Sequence, residues 1–187
     1  MRMTDERRIT ASREAVWNAL NDPEVLRRSI PGCESIEKVD EDALIADVTA
    51  KVGPVKAKFK GSVRFKDVDP PNGCRIVGES QGGSAGFANG AATVSLVPDG
   101  GDTVIKYDVE ATVGGKLAQI GSRLVDSTAR KMADDFFAEF SRIVAMPPAP
   151  GLEPAMASPG VAPTGVSPMV WVPTLVVTVA FFALLFS

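Results

Sequence analysis

From Val55 to Phe65 the residues alternate without a break. Val55, Ala57, Phe59, Gly61, Val63 and Phe65 are apolar or small, and Lys56, Lys58, Lys60, Ser62 and Arg64 between them are polar. A period of two places the two sets on opposite faces of a strand, one dry and one wet. Parallel sheets are covered on both faces, so such a strand belongs to an antiparallel sheet with one side in solvent.

The same pattern spreads over a meander. Arg2–Thr10 reads as an opening strand, followed by Glu34–Val39, Leu44–Val52, Cys74–Ser80, Ala92–Val97 and Thr103–Val113. Gly53-Pro54 and Pro70-Pro71-Asn72-Gly73 supply turns. After the first strand, Ser12 is a helix N-cap and Val16, Trp17 and Leu20 form a stripe. Pro23 opens a second short helix. Beyond Gly114-Gly115, Leu117, Ile120, Gly121, Leu124, Thr128, Met132, Phe136, Phe140 and Ile143 recur at helical spacing, which predicts one long helix from Lys116 to about Val144. The expected class is α+β, a helix-grip: a curved antiparallel sheet wrapped on one long C-terminal helix, with two short helices after the first strand.

Ala57, Phe59, Gly61, Phe65, Tyr107, Ala111, Gly121 and Leu124 are expected to face the space between sheet and helix. They either fill a core or line a cavity. Bulk is thin among the sheet positions, which favours the cavity.

The chain has no histidine, which removes the commonest general base and most zinc or iron sites. Cys33 and Cys74 stand alone, and the first residues read as a strand and not as a secretory leader, so two reduced cytosolic thiols are expected. A formal charge of -3 gives no case for nucleic-acid binding.

Charge ends abruptly. All Lys and Arg precede Ala145, and only Glu153 is ionisable after it. From Met169 to Phe186 there is no charge, and 18 residues of helix span about 27 Å, near the hydrocarbon thickness of a bilayer. Pro173 is tolerable in a first turn. A buried core helix is the alternative, but the run has no polar face. Seven of the 22 residues from 147 to 168 are proline, the composition of an extended spacer. The expected organisation is a ligand-binding domain over 1–146, a Pro-rich flexible linker over 147–168 and a C-terminal transmembrane tail anchor over 169–187.

Several motifs carry a resemblance. They are Ile30-Pro31-Gly32-Cys33-Glu34, Val52-Gly53-Pro54-Val55 with Phe59-Lys60-Gly61, the run Gly114-Gly115-Lys116-Leu117-Ala118-Gln119-Ile120-Gly121-Ser122-Arg123-Leu124-Val125-Asp126, and Ala129-Arg130-Lys131 through Phe136-Phe137. From about Met3 to Val144 the chain resembles the SRPBCC superfamily of START-like folds and, more narrowly, the carbon monoxide dehydrogenase G-subunit family. The resemblance implies an accessory protein and not an enzyme. Its expected partners are a carbon monoxide dehydrogenase-type molybdenum hydroxylase, the lipid bilayer and a lipophilic small molecule. The expected place is the cytoplasmic membrane, with the domain facing the cytoplasm. A respiratory quinone (menaquinone or ubiquinone) is the expected ligand, and Trp17, Phe59, Phe65, Phe87, Tyr107, Leu117, Ile120, Leu124, Met132 and Phe136 are its expected surroundings. No catalytic or metal-binding residue is expected. Recruitment without a ligand, and a START-like enzyme, are the alternatives.

Other features have two readings each. The row Lys56, Lys58, Lys60, Arg64 and Lys66 suits anionic lipid or an acidic enzyme surface, and equally plain solubility. Lys116 and Arg123 meet a polar head or a partner, or are merely solvated. Gly82-Gly83-Ser84-Ala85-Gly86-Phe87 is a gate or simple turn chemistry. Tyr107 either hydrogen-bonds a quinone carbonyl or is a satisfied core tyrosine.

Overall fold

The computed structural model describes residues 2–145. The proline-rich linker and the apolar tail anchor expected from the sequence lie outside the described residues. No described helix is long and apolar enough to cross a membrane.

The chain runs β1 (Arg2–Ile9), α1 (Arg13–Leu20), α2 (Pro23–Ser29), β2 (Cys33–Asp40), β3 (Ala43–Val52), β4 (Val55–Asp69), β5 (Gly73–Gln81), a single 3-10 turn (Gly83–Ala85), β6 (Phe87–Asp99), β7 (Asp102–Gly114), α3 (Lys116–Ile120) and α4 (Ser122–Val144). All seven strands form one curved antiparallel sheet in the order β1-β7-β6-β5-β4-β3-β2. Strands β2 to β7 are neighbours in sequence and in space. The exception is β1, which crosses over to pair with β7, Arg2 opposite Glu110 and Ile9 opposite Thr103.

The helices start where the sequence provides caps. The Ser12 hydroxyl accepts from Ala15 N–H at 3.3 Å, and the Asp22 carboxylate accepts from Glu24 N–H at 2.8 Å ahead of Pro23. The inner face of β4 is as the alternation demands, with Phe59, Val63 and Phe65 buried and Lys56, Lys58, Lys60 and Arg64 exposed. The strand is longer than the alternation showed, ending at Asp69.

One expectation is corrected. The long helix is broken at Gly121, whose φ of +98° and ψ of 139° no helix contains. Its carbonyl then accepts from Leu124 and Val125 N–H and starts α4 afresh. Glycine adopts this conformation without the Cβ clash that any other residue would meet. The restart rephases the apolar stripe. Val125, Ala129, Met132, Ala133, Phe136, Phe137 and Phe140 are buried, whereas Leu124 is 40% exposed and Thr128 half-buried.

Candidate functional site

The small residues of the sheet fall in register. On its inner face Ala46 lies opposite Gly61, Gly61 opposite Ser80 and Ser80 opposite Ala88. In the next row Val63 lies opposite Gly78, Gly78 opposite Gly90 and Gly90 opposite Ala111. The central strands thus bring little bulk to this floor, and the first turns of α4 bury the short Val125 and Ala129 in the same core.

At the end of this floor the chain closes a rim from glycines. Gly115 has φ of +72°, and a Cβ there would lie 2.6 Å from the Gly86 Cα, so the start of α3 meets the turn before β6 backbone to backbone. The β3–β4 hairpin closes on the helix break in the same way: a Cβ on Gly53 would stand 2.5 Å from Leu124 Cδ2. Ile120 Cγ2 lies just behind it at 3.6 Å. The Phe87 ring covers Gly114, and the Phe59 ring covers Gly82.

The ten expected ligand neighbours divide along this geometry. Trp17, Phe59, Phe65, Tyr107, Leu117, Met132 and Phe136 all belong to one buried cluster. Ile120 is half-buried at the rim, while Phe87 (42% exposed) and Leu124 (40%) stand on its outside. Gly121, expected to face the space, is the exposed helix break.

Tyr107 is satisfied without a ligand. Its hydroxyl donates to Asp5 Oδ2 at 3.3 Å, and its ring stacks on Phe137 with centroids 5.5 Å apart. Asp5 also pairs with Arg7 at 2.7 Å, and Arg7 reaches Asp134 on α4. Burial, then the Asp5 carboxylate, pushes the Tyr107 phenol up to about 12. The sequence reading missed Asp5 and Arg7. The available signal was a charged pair at inward positions of β1, between Met3 and Ile9.

Trp17 presents the opposite case. It is 3% exposed, and its indole Nε1 is buried without an acceptor. Buried donors are rarely left unmatched.

The β4 cations also divide. Lys58 pairs with Glu34 and Asp47, and Arg64 with Asp42. Lys56, Lys60 and Lys66 make no ion pair among the described residues. On α4, Asp135 pairs with Lys131 and Glu139 with Arg142, so these acids are surface ion pairs. No disulfide joins Cys33 to Cys74, and burial pushes the Cys33 thiol up to about 11. A depression of about 600 Å³ lies on the outer face, where Ser62, Arg64, Val77 and Glu79 project beside Gly78 and Gly90.

The family model for the G subunit of carbon monoxide dehydrogenase (CoxG) matches residues 6–145, from the second half of β1 to the end of α4. The chain belongs to the CoxG family. A solved protein from Geobacillus kaustophilus is 31% identical, with a TM-score of 0.74, over 78% of this chain and 95% of its own. A Thermus thermophilus protein shares the fold at 18% identity and a TM-score of 0.59, over 77% of this chain and 97% of its own. A truncated norcoclaurine synthase from Thalictrum flavum does so at 22% and 0.52, over 78% and 93%. Among curated proteins no sequence match was found. These neighbours confirm an SRPBCC-like helix-grip, and the CoxG match bears out the resemblance read from the motifs.

Proposed function

We propose that the protein is a membrane-tethered accessory factor. It recruits a carbon monoxide dehydrogenase-type molybdenum hydroxylase to the cytoplasmic membrane and takes a lipophilic molecule, a respiratory quinone, into the grip. Membership of the CoxG family over residues 6–145 carries this reading. Support for the ligand comes from the floor of Gly61, Gly78, Ser80, Ala88 and Gly90, with the short Val125 and Ala129 buried in the same core, and from the apolar rim of Phe87, Ile120 and Leu124. Support for the tether is the uncharged run from Met169 to Phe186 behind a proline-rich spacer. The domain then faces the cytoplasm on a single-pass C-terminal anchor.

Trp17 replaces Tyr107 as the donor offered to a ligand carbonyl. The Tyr107 hydroxyl is engaged by Asp5, whereas the Trp17 N–H is unmatched. We read the protein as non-catalytic, although the norcoclaurine synthase neighbour is by name an enzyme. A second reading, recruitment with no ligand, is favoured by one observation: seven of the ten expected neighbours already pack in a single buried cluster.

Native mass spectrometry of the detergent-extracted full chain, followed by organic extraction, tests the proposal. A stoichiometric quinone, retained less well by Trp17→Phe with its ring volume nearly kept, is the expected result. A protein that stays empty with added quinone, yet co-purifies its enzyme, leaves recruitment alone.

A further inference from the structure

The rim is basic, with no acid in the segments that build it. Three segments converge there: Lys51 to Lys56, Gln81 to Ala88, and Val113 to Val125. Together they contain Lys51, Lys56, Lys116 and Arg123 and not one Asp or Glu. Lys51 and Lys56 flank the Gly53 turn that closes on Leu124, Lys116 follows the Gly115 that touches Gly86, and Arg123 precedes Leu124. All four are exposed, and none makes an ion pair among the described residues. Several cations elsewhere are matched, as Arg2 with Asp108, Arg8 with Asp102, Lys58 with Glu34 and Lys106 with Glu6, whereas Lys60 and Lys66 on the outer face are not.

Stability does not explain the rim. Lys51 lies directly opposite Lys56 across the hairpin, where like charges are unfavourable. On the same rim stand Phe87, against Gly114, and Leu124, against Gly53, two of the large apolar side chains the described surface leaves exposed. Exposed apolar tips beside unmatched cations have the composition of a surface that settles at an anionic lipid interface: the tips enter the acyl boundary and the cationic groups meet phosphate.

We infer that this glycine-closed rim docks on the anionic face of a bilayer, so that the small-residue floor opens towards lipid. The inference rests on the membrane reading proposed above, but not on the identity of the ligand. It also assigns the contact to the rim and not to the whole β4 row, part of which is neutralised by Glu34, Asp47 and Asp42.

The test uses the full chain on vesicles of phosphatidylcholine alone and of phosphatidylcholine with phosphatidylglycerol. Flotation reports whether the tail inserts, and hydrogen exchange reports which backbone is covered. On anionic vesicles, exchange in the three rim segments should slow by about tenfold, the effect of roughly 1.4 kcal/mol of added protection. Raising the salt from about 0.1 M to about 1 M cuts the screening length from about 10 Å to about 3 Å and should abolish that protection while flotation persists. The combined variant Lys51→Gln, Lys56→Gln, Lys116→Gln and Arg123→Gln should float but lose the slowing, and Leu124→Ser should lose part of it. Flotation with equal rim exchange on both vesicles, or protection confined to the outer face around Lys60 and Lys66, overturns the inference. Loss of flotation in the unaltered chain overturns the tether, and rim protection on anionic vesicles that survives it still supports docking. If the four-site variant keeps its lipid protection but loses capture of the enzyme in detergent, the rim is a protein interface and the inference fails.

Discussion

The two ends of the grip are built by opposite means. At the far end, Phe136 stacks on Phe140 at 5.3 Å and meets Phe137 edge-on at 5.0 Å, Phe137 stacks on Tyr107, and Arg7 ties β1 to α4 through Asp134. Large rings fill the space and a charged network fixes the edge. At the rim, contact is made by Gly53, Gly86, Gly114 and Gly115, the helix breaks at Gly121, and the cations are unmatched. Dispersion grows with the number of atoms in contact, so the aromatic end holds most of the cohesion and the rim holds little. Elements with few buried contacts are the ones that open locally. The rim is therefore the end that costs least to part.

The contrast can be broken by mutation. Phe136→Ala removes a fully buried ring and should cost about 3–5 kcal/mol in urea unfolding. Leu124→Ala at the exposed rim should cost less than about 1 kcal/mol. Similar losses at both sites would abolish the distinction. Gly115→Ala is the sharper probe of the rim, because it adds a Cβ against Gly86 at a φ of +72°. It should cost about 1–3 kcal/mol in thermal unfolding, as a strained residue usually does, and speed exchange in the turn before β6. Unchanged exchange there would show that the rim does not depend on this contact.

Tyr107→Phe tests a single contact at the aromatic end. It removes one hydrogen bond to Asp5 and should cost about 1 kcal/mol at neutral pH. Its pH dependence is more specific. A phenol raised from 10 to about 12 favours the neutral form in the folded state, so its stabilising effect is intact below about pH 10 and lost as pH climbs through about 12. Unfolding midpoints across that window should fall more steeply for the natural chain than for Tyr107→Phe. Parallel curves would place the hydroxyl in solvent.

What the sequence made legible follows from side-chain size. Val55 to Phe65 announced its strand because large apolar residues alternate with cations. The start of β6 did not, because Phe87-Ala88-Asn89-Gly90-Ala91 carries little β-propensity and is held instead by pairing with β5 and β7 on both sides. The helix break was not legible because Gly121 sits between apolar residues at helical spacing, and periodicity does not register one residue's backbone angle. That single angle displaced Leu124 from the expected interior and put Val125 and Ala129 there. Tyr107 was visible as an inward residue, but its partner comes from β1, about a hundred positions away, and only the register reveals it. The rim was invisible for the same reason, since its three segments are adjacent only once the sheet has curled.

The crossover of β1 to β7 sets a schedule for the chain as it is made. Among the described residues β1 has its one sheet partner in β7, so Arg2 waits for Glu110. At the usual 5–20 residues per second of translation, that is roughly 5–20 s with a finished strand unpaired. An open strand edge invites pairing with another nascent chain. Residues Arg2 to Ile9 meet that interval with a charge at most positions, namely Arg2, Asp5, Glu6, Arg7 and Arg8. The acids and guanidinium groups that later lock β1 into the fold thus serve earlier to keep it soluble while it waits.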